Sequence, residues 1–124
     1  MTDYSRWAIL SDLDGTLFDS TTKPQKDNME AIRRFTENGG LFSVSTGRTP
    51  ENAATFLDGV VLNAPGIYMN GSEIYDPLKR EMVHASFMEM DLIRPFIGEV
   101  LEKYPDVNVQ VYGPGIIAFV SPEE

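Results

Sequence analysis

Apolar residues fall along the chain in short blocks whose spacing changes from one segment to the next. Trp7, Ala8, Ile9 and Leu10 form a run without alternation, the pattern of a strand covered on both faces in a parallel sheet. A central strand is expected there. Met29, Ile32 and Phe35 then recur at helical spacing opposite Glu30, Arg33, Arg34 and Glu37. This predicts an amphipathic helix of about three turns, closed by Gly39 and Gly40. Leu41 to Thr46 reads as a second strand ending at Gly47. Short connections favour a right-handed crossover, so the two strands are expected to run parallel. Thr49 as cap and Pro50 as first residue open a short helix toward Leu57, and Gly66 to Met69 supplies a third apolar run.

Beyond about residue 70 the pattern changes. Glu73 to Tyr75, the turn signal Asp76-Pro77, and Met82 to His84 predict a hairpin rather than another crossover. A boundary is expected near residues 78 to 86, dividing 1–80 from 81–124. Asp91 is the expected N-cap of a helix whose Leu92, Phe96, Val100 and Ile93, Ile97, Leu101 make a broad apolar face, with Pro95 near the first turn and Tyr104-Pro105 at the end. Val107, Val109 and Val111 alternate with polar neighbours, a turn is expected at Gly113-Pro114-Gly115, and Ile116 to Val120 returns. The chain thus reads as α/β: part of a parallel sheet, then a helix with an antiparallel hairpin. It contains no internal repeat and no low-complexity tract.

Composition narrows the chemistry. The 124 residues make about one ordinary domain, and 42% apolar with 23% charged residues suits a folded globular chain. Nineteen acidic against ten basic side chains give a formal charge of -9, which opposes nucleic acid and anionic membranes as partners. Basic residues can still line a local pocket for a small phosphorylated substrate. No cysteine is present, so disulfides, thiolate zinc sites and a cysteine nucleophile are excluded. No apolar stretch approaches bilayer length, and a soluble, cytoplasmic, unexported protein is expected.

The string Ser11-Asp12-Leu13-Asp14-Gly15-Thr16 sets two carboxylates where the first strand ends. In an open parallel sheet ligands gather outside the carboxyl ends of strands. Two nearby carboxylates repel by about 1 kcal/mol in water and several times more in a partly dry site, so they invite a cation or a shared proton. Magnesium, with its preference for hard oxygen ligands, is the natural occupant. Asp-Gly is also ordinary turn chemistry, and the spacing alone leaves a solvated acidic turn equally open.

The longer string Asp12-Leu13-Asp14-Gly15-Thr16-Leu17, directly after an apolar strand, resembles the first motif of the haloacid dehalogenase superfamily. Ser45-Thr46-Gly47-Arg48 is similar to the second motif, and Tyr68 to Tyr75, with its Asn70-Gly71, resembles the turn between core and cap in the Cof-like, sugar-phosphatase branch. The resemblance implies the front half of a Rossmannoid parallel-sheet core over 1–80 and the first half of an α+β cap over 81–124. It implies Asp12 as nucleophile and Asp14 as acid/base, both contributing to a Mg2+ site, and Leu13, Thr46, Gly47, Arg48 and Asn70 as substrate-binding. Arg48 is equally well read as a solvated side chain at a helix start, and Asn70 as a plain hairpin residue. Met82, Met88 and Met90 are read as core filler, and His84 as structural or solvated.

The family's lysine and its later acidic motif have no match. Lys79 lies beside a turn, Lys103 near a helix end, and Glu123-Glu124 after a hairpin strand. The resemblance therefore implies a truncated, nearly inactive form of a magnesium-dependent phosphatase acting on small phosphorylated metabolites such as sugar phosphates. A phosphomutase of the same superfamily is one alternative. Another is a non-catalytic half-domain that assembles with a second chain or with itself.

Overall fold

A computed structural model describes residues 2–113 and 116–120. Residues 1–86 form one compact unit and 87–124 a second. The expected division at residue 80 and this one differ by the strand over 81–85, which pairs back into the first unit.

In the first unit, strand β1 (Ala8–Ser11) leads through a broad turn over 13–17 to helix α1 (Lys26–Glu37), strand β2 (Leu41–Val44), helix α2 (Pro50–Phe56) and strand β3 (Gly66–Tyr68). β1 and β2 run parallel, with Ala8 opposite Leu41 and Ser11 opposite Val44, as the crossover argument requires. A single parallel bridge from Ser45 to Ile67 ties the end of β2 to β3. Strand β4 (Glu73–Asp76) then pairs antiparallel with both β3 and β5 (Glu81–Ala85). The β4–β5 hairpin is the one the sequence pattern predicts.

Local chemistry explains the elements. α1 turns Ile32 inward with Met29 and Phe35 half-buried, while Arg33 bridges Glu30 and Glu37 on the outer face at 2.6 Å each. Gly40 follows because a Cβ there would come within 2.4 Å of the Phe35 ring. α2 begins as read, with the Thr49 hydroxyl accepting from the Asn52 amide at 3.1 Å and Pro50 in the first turn. Leu13, Leu17, Phe18, Phe42, Val44 and Tyr68 form the centre of the core.

β1 corrects an expectation. Trp7, Ile9 and Leu10 are 67, 45 and 49% exposed, so the strand is not covered on both faces. The apolar run forms a strand, as its pattern predicts, but among the described residues its ladder partner is β2. The carbonyls of Trp7 and Ser11 accept from amides on the β2 side, which turns the backbone groups of Ala8 and Leu10 toward the open edge. An open groove of about 730 Å³ beside β1 is lined in part by Tyr4, Trp7, Ile9 and Phe35.

The second unit holds helix α3 (Met90–Lys103) and the antiparallel hairpin of β6 (Val109–Gly113) and β7 (Ile116–Val120). Asp91 is not the cap: the helix begins at Met90, and the Glu89 carbonyl closes the first turn by accepting from Leu92 and Ile93 at 3.0 and 3.1 Å. Asp91 lies within that turn, where its charge still suits the helix N-terminus. Pro95 consequently sits two residues further in, where no amide can reach back to Asp91. The apolar face is narrower than expected, with Ile93 buried and Ile97, Val100 and Leu101 half-buried, but Leu92 and Phe96 70 and 65% exposed. Pro114 and Gly115 of the expected turn, and Glu123-Glu124, lie outside the described residues. Among the described residues no helix is long and apolar enough to cross a membrane.

Candidate active site

Every residue singled out for chemistry lies in the first unit, and the topology gathers these residues at the carboxyl ends of β1 and β2. Asp12 follows β1 directly, and Ser45 follows β2 with its amide bonded to the Ser11 carbonyl at 2.9 Å. The parallel register therefore sets the two motifs side by side. Asp12 is exposed, with Oδ1 accepting from the Leu13 amide at 2.8 Å. Leu13 is 0% exposed, so it belongs to the core, and the structure does not present it to a ligand as the sequence reading expected. Gly15 has φ of +73°, a left-handed conformation that favours glycine and lets the chain reverse between the carboxylates and Leu17.

Thr46 is buried, and its Oγ1 accepts from the Arg48 amide at 3.1 Å while its carbonyl accepts from Asn70 at 3.2 Å. The Arg48 carbonyl accepts from Met69 at 3.1 Å. These bonds seat the 69–71 turn against the second motif. Asn70 adopts φ +54° and ψ 33°, tolerated by asparagine in tight turns. Its Oδ1 would stand 2.9 Å from a Cβ at position 47, which is why Gly47 suits this place. The structure thus brings Thr46, Gly47, Arg48 and Asn70 together.

Arg48 does not point freely into solvent. Its Nε and Nη2 donate to Asp14 Oδ2 and Oδ1 at 2.8 and 2.7 Å, a two-pronged pair across 34 residues of sequence. The guanidinium beside it, chiefly through these hydrogen bonds, holds the Asp14 carboxyl below the usual carboxylate range against a small opposing effect of burial. The same bonds raise the pKa of Arg48. Nη1 donates to Asn52 Oδ1 at 2.5 Å, and the guanidinium carbon lies 4.7 Å from the Phe56 ring centroid and 6.0 Å from that of Phe18. Asn52 and Phe56 were not among the sequence candidates. Their spacing of four and eight residues from Arg48, at the start of a capped helix, is the signal that could have found them.

Hard oxygen donors suited to magnesium are available in the exposed Asp12 carboxylate and the backbone carbonyls of the following turn. Among the described residues no three acidic or histidine side chains converge, so these groups furnish part of a coordination shell.

Glu73 is a buried carboxyl at the start of β4, 7% exposed. Burial, and then the negative charge of Glu51, push its pKa up. A carboxyl raised on folding leaves the native state more stable below the unfolded-state pKa, and this advantage is lost as pH rises through the folded-state value. Glu73→Gln is therefore expected to raise the urea midpoint near neutral pH, with the gain shrinking as pH falls to about 4.

Comparison with known proteins gives a consistent result. The family model for haloacid dehalogenase-like hydrolases matches residues 9–122. The 5-amino-6-(5-phospho-D-ribitylamino)uracil phosphatase YwtE of Bacillus subtilis is 31% identical over 104 residues, covering 84% of this chain and 35% of that protein. A haloacid dehalogenase-like hydrolase structure from B. subtilis superposes with a TM-score of 0.76 at 24% identity, over 89% of this chain and 38% of the other. A HAD/COF-like hydrolase from Plasmodium vivax gives 0.66 at 30% identity, over 79 and 37%. The chain therefore spans well under half the length of these relatives.

Proposed function

Because the chain belongs to the haloacid dehalogenase-like hydrolases, we propose that it carries the nucleophile-bearing part of a phosphatase acting on small phosphorylated metabolites, with sugar phosphates as the substrate class. The observation that carries this reading is the convergence of the 12–14 and 46–48 segments at adjacent strand ends. The printed name of the B. subtilis relative, a phosphatase, supports the reaction class.

In this reading an Asp12 carboxylate oxygen attacks phosphorus and the ester P–O bond breaks, leaving an aspartyl phosphate. The departing oxygen takes a proton from Asp14, which can carry one only after leaving the Arg48 pairing that keeps it ionised. Water then attacks the phosphorus, Asp14 recovers a proton from it, and inorganic phosphate leaves with Asp12 restored. The Thr46 hydroxyl and Gly47 amide are donors for the phosphoryl oxygens. The exposed Asp12 carboxylate and the Asp14 backbone carbonyl are the groups to hold Mg2+, which when bound offsets the charge of nucleophile and phosphate. Both Asp14 oxygens are engaged by Arg48, so proton transfer requires Asp14 to give up one of those contacts.

The cation directly paired at these strand ends is Arg48, and it is committed to Asp14 rather than to Asp12. Turnover by residues 1–124 alone is accordingly expected to be slow, while single transfer to Asp12 persists. The test is to incubate the chain with Mg2+ and p-nitrophenyl phosphate, quench in acid, and map the phosphorylated peptide. A hydroxylamine-labile adduct on Asp12 supports the proposal, and its discharge to water rather than to a sugar phosphate separates a hydrolase from a phosphomutase. No adduct, or one on another residue, overturns it.

A further inference from the structure

We propose that Asn52 and Phe56 are positioning residues, which hold the Arg48 guanidinium as a fixed dock for the Asp14 carboxylate. The inference rests on the reading of Asp14 as the acid and base.

The guanidinium is engaged on more sides than an ion pair with Asp14 requires. Two of its nitrogens serve Asp14, the third reaches Asn52 Oδ1 at 2.5 Å, and its central carbon lies over the Phe56 ring, 4.7 Å from the centroid. Arg48 immediately precedes the Thr49 cap, and Asn52 and Phe56 follow at one-turn intervals along α2. Four-residue steps slightly exceed one helical turn, so polar acceptor and aromatic ring form one shelf beside the arginine. A planar, delocalised cation suits both contacts, whereas a lysine would satisfy neither the fork nor the stacking.

Exposure decides which partner is anchored. The Arg48 side chain is 24% exposed and that of Asp14 is 56%. Asp14 is the outer member, and both of its carboxylate oxygens accept from Arg48. When Asp14 swings out to exchange a proton, the guanidinium keeps its bonds to Asn52 and Phe56. Its charge stays where the strands end, and Asp14 returns to the same orientation after each transfer. Without the shelf, Arg48 would travel with Asp14 or rotate into solvent, and the carboxylate would lose its fixed reference.

The test reads the arginine directly. In the 124-residue chain labelled with 15N-arginine, the Arg48 side-chain signals are assigned by their loss in Arg48→Lys. Hindered rotation of the guanidinium is expected in the unaltered chain and in Asp14→Asn. Asn52→Ala is expected to speed that rotation about tenfold, Asn52→Asp, which keeps an acceptor, to restore the restraint, and Phe56→Leu to weaken it while keeping apolar bulk. Asn52→Ala is also expected to prolong the Asp12 adduct by about tenfold, because a misplaced Asp14 is a poorer base. Asn52 is exposed, so its variants fold and decide the matter even if Phe56→Leu does not. Arg48 rotation that is unchanged in folded Asn52→Ala, or freed by Asp14→Asn alone, overturns the proposal. Absence of any Asp12 adduct would overturn the functional reading instead, while leaving the arginine measurement standing.

Discussion

Asp12→Asn is expected to lower phosphoryl transfer from p-nitrophenyl phosphate by at least about a thousandfold, the scale on which enzymes lose rate when the attacking group itself is removed. The amide has no anionic oxygen with which to form the new bond, and no other group at the strand ends substitutes for it. Asp14→Asn should behave differently. General acid help is worth about a hundredfold to ten-thousandfold and matters least when the leaving group is already a weak base. Transfer from p-nitrophenyl phosphate should thus fall modestly in Asp14→Asn, and transfer from an alkyl phosphate far more. Burst measurements with both substrates check the division of labour. Equal losses in the two variants with both substrates would count against separate roles. Both side chains are exposed, so urea midpoints close to that of the parent should accompany the kinetic changes.

Leu13→Ala carries the largest expected effect on stability. The residue stands between the two carboxylates yet is 0% exposed and packs in the central cluster with Leu17, Phe42, Val44 and Tyr68. Truncating a buried leucine costs about 2 to 5 kcal/mol through lost transfer energy and the cavity left behind. Against the 5 to 15 kcal/mol or so that stabilises a typical domain, that loss is a large fraction. Urea unfolding followed by the first unit's aromatic signals should show a sharply lower midpoint. Val61→Ala, at a residue 37% exposed, should shift it little. A small effect at Leu13 would mean that the motif is not anchored by its central side chain. The site is built with its chemistry outside and its anchor inside, one residue from each carboxylate, so the same turn that exposes Asp12 and Asp14 is pinned by Leu13.

The exposed run Trp7, Ile9 and Leu10 is the clearest departure from the sequence reading, and it has a simple physical origin. An unalternating apolar run reports that a strand prefers to have both faces covered; it does not say which segment covers them. Among the described residues the ladder partner of β1 is β2, and Trp7, Ile9 and Leu10 remain partly exposed. α3 shows the same limit. Its apolar positions predict a broad inward face, but Leu92 and Phe96 are 70 and 65% exposed.

What the sequence by itself determined is whatever depends on neighbours a few residues away. The 3.6-residue spacing of Met29, Ile32 and Phe35 gave α1, Thr49 and Pro50 gave the start of α2, and the paired runs around Asp76-Pro77 gave the β4–β5 hairpin. It also set Asp12 and Asp14 at the end of a strand, and with them the family to which the chain belongs. The tertiary structure decided the rest. Only the parallel register of β1 with β2 sets the first motif beside the second, and only the bonds of 69–71 to Thr46 and Arg48 settle which way Asn70 faces. The pairing of Arg48 with Asp14 joins residues 34 positions apart. Its shelf of Asn52 and Phe56 became legible once that arginine had a direction. Periodicity fixes how a segment folds on itself, but contacts between distant segments depend on register and coverage, which no local pattern encodes.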